Sequence, residues 1–272
     1  GVNVNVTGQK DVSHNVELYG YSIGFSGGDC DDTIKTVFGF GHHVYGNGGS
    51  DKITLNCTST ASGGAGDDEI IINSQGAAYG DDGNDEIILN SGAAYGDEGD
   101  DIITVNIANT GTINGGLGND TYNINAKVTN LSDTGGDNIY NVNANDINIS
   151  GGPGADTFYL SGNNNTVLGA GGDDYFVIDG SNNFIDGGTG KNYYIDNGTG
   201  TSFSNVNKDP NAGGISFTYQ GEVKTFTLNG KTYTVTNNFA GSNMLQYSLN
   251  PNTGVITLNG SNFGVNAEAN ES

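Results

Sequence analysis

The sequence predicts an all-β protein: a right-handed parallel β-roll, or β-helix solenoid, of about ten 18-residue coils, followed by a small antiparallel β module or cap. Three observations predict it. A glycine-rich phrase, closed by an acidic residue in nine copies and by asparagine in the last, returns ten times at a nearly constant interval. A large apolar or aromatic residue stands two places beyond each acid. Helical periodicity is absent along the chain.

The repeat runs GGDCDDTI, GNGGSDKI, GGAGDDEI, GDDGNDEI, GDEGDDII, GGLGNDTY, SDTGGDNI, GGPGADTF, GAGGDDYF and GGTGKNYY. Aligned on the sixth place, it sets Asp32, Asp51, Asp68, Asp85, Asp101, Asp120, Asp137, Asp156 and Asp174 in one column, closed by Asn192. Successive separations are 19, 17, 17, 16, 19, 17, 19, 18 and 18 residues. Two places on stand Ile34, Ile53, Ile70, Ile87, Ile103, Tyr122, Ile139, Phe158, Phe176 and Tyr194, mostly β-forming types that begin a short strand. The other half of each unit (AAYG, GTING, INISG, NTVLG, NFIDG) reads as a second strand entering the next turn. Asn56, Asn73, Asn90, Asn106 and Asn125 recur five places after the acid, and stacked asparagines hydrogen-bond along such a column.

The turn has a specific chemistry. Glycines at its first and fourth places (Gly63 and Gly66, Gly80 and Gly83, Gly96 and Gly99, Gly115 and Gly118, Gly151 and Gly154, and the first-place Gly169) permit positive φ and turn carbonyls outward. The sixth-place aspartate adds a carboxylate on the same side. Carbonyl and carboxylate oxygens suit Ca²⁺, whereas zinc and copper favour imidazole or thiolate. Solvated turns with no ion are the plain alternative, but a column of carboxylates at the coil spacing repels itself without an intervening cation. Ten turns in one row leave room for at most nine ions. The last turn replaces the acid with Asn192 beside Lys191, and the first puts Cys30 where glycine belongs, so both ends are weakened.

GGAGDDEII, GGLGNDTYN and GGPGADTFY match at every specified place the nonapeptide G-G-x-G-x-D-x-U-x, U being large and apolar. The chain thus resembles the RTX, or hemolysin-type calcium-binding, proteins of bacteria over roughly 27–196. The resemblance implies a calcium-binding β-roll that is secreted, by a one-step (type I) route, and folds outside the cell as a structural or adhesive module of a toxin-like, adhesin or surface-layer protein. The full motif fills one turn per coil while the opposite turn is degenerate, which implies one good calcium row.

Composition narrows the partners. Thirty-one acids against 8 bases give a formal charge of −23, and all eight bases are lysine. Such a field repels nucleic acid and anionic membrane surfaces, and no apolar run is long enough to span a bilayer. With no arginine and few lysines, the chain has little to neutralise the uronate carboxylate that a polysaccharide lyase or epimerase must hold. The chain is therefore read as non-catalytic, monomeric as a fragment, with calcium as its partner. A carbohydrate- or surface-binding module that uses exposed tyrosines (Tyr79, Tyr95, Tyr140, Tyr159) is the alternative, and part of a polysaccharide-modifying enzyme the next. Residues 1–26 are expected to form opening strands or a cap, 27–197 the roll, and 198–272 a C-terminal cap or module. That last segment holds a hairpin at KTFTLNGKTYTVT, a second at MLQYSLNPNTGVITLNG and a frayed AEANES tail. Cys30 and Cys57 read as free thiols, and His42 and His43 as surface turn residues.

Overall fold

A computed structural model describes residues 4–209 and, beyond them, 218–220, 223–228, 231–237, 246–250, 255–259 and 263–266. All regular structure is β, and the strands of residues 4–208 stack in parallel into a solenoid of about eleven turns. A twelve-stranded sheet runs from Asn15–Tyr21 to Asn207–Lys208 and holds the strand that follows each aspartate. An eight-stranded sheet, from Val4–Thr7 to Val128–Leu131, forms the facing wall, and a four-stranded sheet, from Asn148–Ser150 to Ser202–Ser204, takes its place in the later coils. Each chain segment pairs with its equivalent one coil away, as Glu86–Leu89 does with Glu69–Ile72 on one side and Ile102–Val105 on the other.

Alternation along these short strands builds the core. Ile34, Ile53, Ile70, Ile87 and Ile103 stack inward as one buried column. Four aromatic rings continue it: Tyr122 on Tyr140, Tyr140 on Phe158 and Phe158 on Phe176, with centroids 4.6–4.9 Å apart and planes within 9°. Ala61, Ala78 and Ala94 line the facing wall of the early coils, and Ile149, Val167 and Ile185 that of the later ones. The expected Asn ladder forms: Asn73 donates to Asn56, Asn90 to Asn73, Asn125 to Asn106 and Asn143 to Asn125.

The solenoid is longer than its motif. Strands of residues 4–26 already stack in the same sheets, as opening strands of the solenoid. At the other end Ser202–Ser204 and Asn207–Lys208 extend both walls past 197, and the first compact unit closes at Asn207. The second unit, Lys208–Ser272, contains both expected antiparallel pairs, Val223–Leu228 with Lys231–Asn237 and Gln246–Asn250 with Val255–Asn259. The Asn-Gly turn, the Asn-Pro-Asn-Thr-Gly turn and the AEANES tail lie outside the described residues, except that Asn250 ends its strand.

Candidate metal centre

The sixth-place aspartates do not point to solvent. Asp32, Asp51, Asp68, Asp85, Asp101, Asp120, Asp156 and Asp174 are all buried, at 3% exposure or less. Each follows a turn that ends a strand of the facing wall and precedes an inward Ile or aromatic, so its side chain folds under the turn. There its Oδ1 accepts the main-chain N–H of the equivalent residue in the preceding coil: Asp51 from Asp32, Asp68 from Asp51, Asp85 from Asp68, Asp101 from Asp85 and Asp120 from Asp101, at 2.6–2.9 Å. Asp174 serves Asp156 in the same way. His14 starts the column, giving Asp32 both its main-chain N–H and Nδ1.

The other carboxylate oxygen is what sets this column apart. In Asp51, Asp68, Asp85, Asp101, Asp120, Asp156 and Asp174 the Oδ2 is buried without a hydrogen-bond partner. A methyl group added at Gly80 would fall on both Asp85 Oδ2 and the carbonyl oxygen of Gly96 one coil on, so these two oxygens converge there. The same pair recurs as Asp51 with Gly63, Asp68 with Gly80, Asp101 with Gly115, Asp156 with Gly169 and Asp174 with Gly187. An acceptor aimed at an acceptor in a dry site is unfavourable unless a proton or a cation lies between them. Asn192 shows what a donor does there. Its Nδ2 takes the Oδ2 position and donates to the Asn205 carbonyl at 3.2 Å.

Burial accordingly pushes these carboxyls well above their ordinary range, although the main-chain N–H each accepts draws it back. Asp51 and Asp85 rise to about 6, Asp68, Asp120 and Asp174 to about 7, and Asp101 and Asp156 to about 8. Neighbouring carboxylates add to the rise, as Asp120 and Asp85 do at Asp101.

The expected glycines divide by role. Fourth-place Gly66, Gly83, Gly99, Gly118 and Gly154 have φ of 125–142°, as foreseen. First-place Gly63, Gly80, Gly96, Gly115, Gly151 and Gly169 do not have positive φ; they are glycine because Asp Oδ2 and a carbonyl, or at Gly115 the Tyr122 hydroxyl, occupy the space of a side chain. Positive φ belongs instead to the second place, where Asn47, Asp81, Asp97 and Ala170 adopt 74–79°.

Asp137 is out of register. Asn138 holds the column position there, accepting the Asp120 N–H at 2.7 Å and giving its own N–H to Asp156. Tyr140, not Ile139, enters the core, and Ile139 is 41% exposed. The physical reason is that an amide supplies the same acceptor while one further residue brings an aromatic ring into the Tyr122–Phe158 stack. Asp137 joins a second, exposed ladder at the fifth place with Asp31, Asp67, Asn84, Asp100, Asn119 and Asp173, where each Oδ1 accepts from the following coil. The missing carboxylate reappears as Asp133, which accepts from Asn138 Nδ2.

Sequence reasoning missed an equivalent of this column on the opposite edge. In the later coils buried Asn165 and Asn183 accept the main-chain N–H of Ile147 and Asn165, at 3.1 and 2.8 Å, while their Nδ2 atoms donate to the carbonyls of Ala144 and Gly162. Their 18-residue spacing was the available signal. Of the remaining readings, His42 is fully buried in a strand rather than in a surface turn, and Tyr140 is buried too. Cys30 and Cys57 are free.

No group of three or more His, Cys, Asp or Glu side chains converges among the described residues. An ion in this column would therefore rest on carboxylate oxygen and main-chain carbonyls together, a hard all-oxygen set that fits calcium. Neither a family model nor a curated protein matches the sequence.

Proposed function

We propose that this chain is a calcium-stabilised β-solenoid, structural or adhesive in role, from a protein that works outside the cell. The observation that carries the reading is the column of seven buried Asp Oδ2 atoms, of which all but that of Asp120 converge with a glycine carbonyl from the next coil. Ca²⁺ between such oxygens would remove the repulsion and tie adjacent coils together. Asp51, Asp68, Asp85, Asp101, Asp120, Asp156 and Asp174 would hold it, with the carbonyls of Gly63, Gly80, Gly96, Gly115, Gly169 and Gly187. Seven orphaned oxygens set an upper bound of seven ions rather than nine, in two blocks parted by Asn138. Millimolar calcium outside cells matches the ~10⁻⁴–10⁻³ M affinity of extracellular modules, and the RTX-like turns support secretion by a type I route.

A second reading has its own observation. Asn192 fills the same slot with a neutral donor, so a protonated aspartate would do likewise. One experiment separates the two: far-UV circular dichroism and calcium calorimetry at pH 7.5, with chelator scans at pH 5 and 7.5. Calcium-dependent β structure at pH 7.5 with several ions bound is the expected result. Unchanged β structure in chelator at pH 7.5 overturns the calcium reading. Folding at pH 5 with no calcium heat at either pH assigns the column to protons.

A further inference from the structure

We propose that four exposed aromatic rings in the first coils form a binding platform for a neutral oligosaccharide. Strands Asn15–Tyr21 and Thr33–Phe40 run three to four residues longer than the four-residue strands that follow them in the same sheet. Their overhang pairs Tyr19 with Phe38, Gly20 with Gly39 and Tyr21 with Phe40. Tyr19, Tyr21, Phe38 and Phe40 thus project from one face as a two-by-two grid, 53–59% exposed. Gly20 and Gly39 leave no side chain on the opposite face, and a methyl at Gly39 would fall on the Gly20 carbonyl, so the two backbones approach closely beneath the grid.

Ring orientation separates this grid from the other aromatic pairs. Tyr79 and Tyr95 stack with planes 7° apart, each covering a face of the other. Tyr21 meets Phe38 and Phe40 at 67° and 63°, edge against face. An edge covers less of a ring than a stacked face does, and each of the four rings stays more than half exposed; an exposed aromatic face is the surface on which the C–H side of a pyranose stacks. Rows ~4.8 Å apart between strands and ~6.8 Å along them suit consecutive sugar units. Exposed Glu17 and Lys35 pair across the same two strands next to the rings, and Tyr19 donates its hydroxyl to Glu17 at 2.7 Å, which adds polar groups for sugar hydroxyls.

Area and charge select the occupant. At roughly 200 Å² per ring, a little over half exposed, the grid offers about 450 Å², near half of what one partner buries in a standard protein interface. A short oligosaccharide covers that area. A second copy would bring another formal charge of −23, and an acidic polysaccharide meets the same repulsion, which leaves a neutral chain. The platform is separate from the aspartate column and does not depend on its ligand.

The test is calorimetry of the whole chain in millimolar calcium with cellohexaose, mannohexaose and N-acetylchitohexaose, and polygalacturonate as the acidic control. Binding of at least one neutral hexaose with a Kd of ~10⁻⁴–10⁻³ M is expected, weakened about tenfold or more in the Tyr21→Ala/Phe40→Ala variant and unchanged in Tyr79→Ala. Circular dichroism of both variants should match the parent, since the removed rings are exposed. Failure of all three hexaoses to bind overturns the proposal, as does undiminished binding by the double variant. Sedimentation showing a dimer that the double variant dissolves would overturn it in favour of a self-interface.

Discussion

Asp85 and Asn183 occupy the same kind of corner on opposite edges of the solenoid. Each is buried, and each sends Oδ1 to a main-chain N–H of the preceding coil at 2.8 Å. Asn183 then spends its second atom on the Gly162 carbonyl, while Asp85 leaves Oδ2 without a partner beside the Gly96 carbonyl. The fold needs only the shared part of this arrangement, and asparagine supplies it at positions 138, 165, 183 and 192 with every polar atom of the corner satisfied. Aspartate stands at the other eight corners, and at all of them but Asp32, whose Oδ2 accepts the Gly28 N–H, it adds charge and an orphaned acceptor that packing does not require. On the calcium reading, this surplus is what the ion takes up.

The comparison breaks most visibly if the charged edge is made neutral. Asp→Asn at positions 51, 68, 85, 101, 120, 156 and 174 should give a solenoid that folds equally in chelator and in calcium. The parent should gain about 1.4 kcal/mol per ion at tenfold excess over Kd. Urea titrations with and without calcium would read this, and a persistent calcium effect in the variant would place the ions elsewhere.

The converse change sharpens it. Asn165→Asp turns the donor facing Ala144 into a second acceptor, and should cost about 2–4 kcal/mol at pH 7.5, with partial recovery at pH 5. Gly80→Ala on the charged edge should cost a similar ~2–4 kcal/mol, because the methyl displaces Asp85 and the Gly96 carbonyl. Gly135→Ala, with nothing within 4 Å of the new methyl, should stay within about 0.5 kcal/mol of the parent.

The pH response follows from the raised carboxyls. Their folded values of about 6–8 lie above the ordinary 3.8, so the calcium-free solenoid binds more protons than the unfolded chain between those limits. Its stability should therefore fall as pH rises from about 4 to 8. The urea midpoint in chelator should be higher at pH 5 than at pH 8, and calcium should flatten that slope. On the exposed ladder, Asp67→Ala removes the two bonds its Oδ1 accepts from Asn84 and should cost only about 1 kcal/mol or less.

Much of this was legible because a solenoid repeats its physics with its sequence. Period, parallel stacking and the inward column from Ile34 to Ile103 followed from spacing alone. Asp137 misled because the motif tolerates an alignment one residue early: Asp137 and Ile139 keep the acid-to-apolar interval, while the fold prefers the peg at Asn138 and a ring at Tyr140. Stack continuity through Tyr122, Tyr140 and Phe158 was the better guide. Asn165 and Asn183 escaped notice because asparagine is common in exposed turns, and sequence does not show which of many is buried. Nor does it separate a glycine needed for positive φ, such as Gly83, from one needed for space, such as Gly80.

The aspartate pegs all lean the same way, and that gives the rod unequal ends. Each coil's side chain serves the amide of the coil before it, so losing a coil from the C-terminal end bares a main-chain N–H, such as that of Asp174 when Asn192 departs. Losing one from the N-terminal end strips a carboxylate of its donor, as Asp51 would be without Asp32. An uncompensated carboxylate is the costlier orphan, and His14 seals that end with two bonds to Asp32. Under tension, or on chelation if the calcium reading holds, the solenoid should unravel like a one-way zipper, shedding coils from Asn192 backwards.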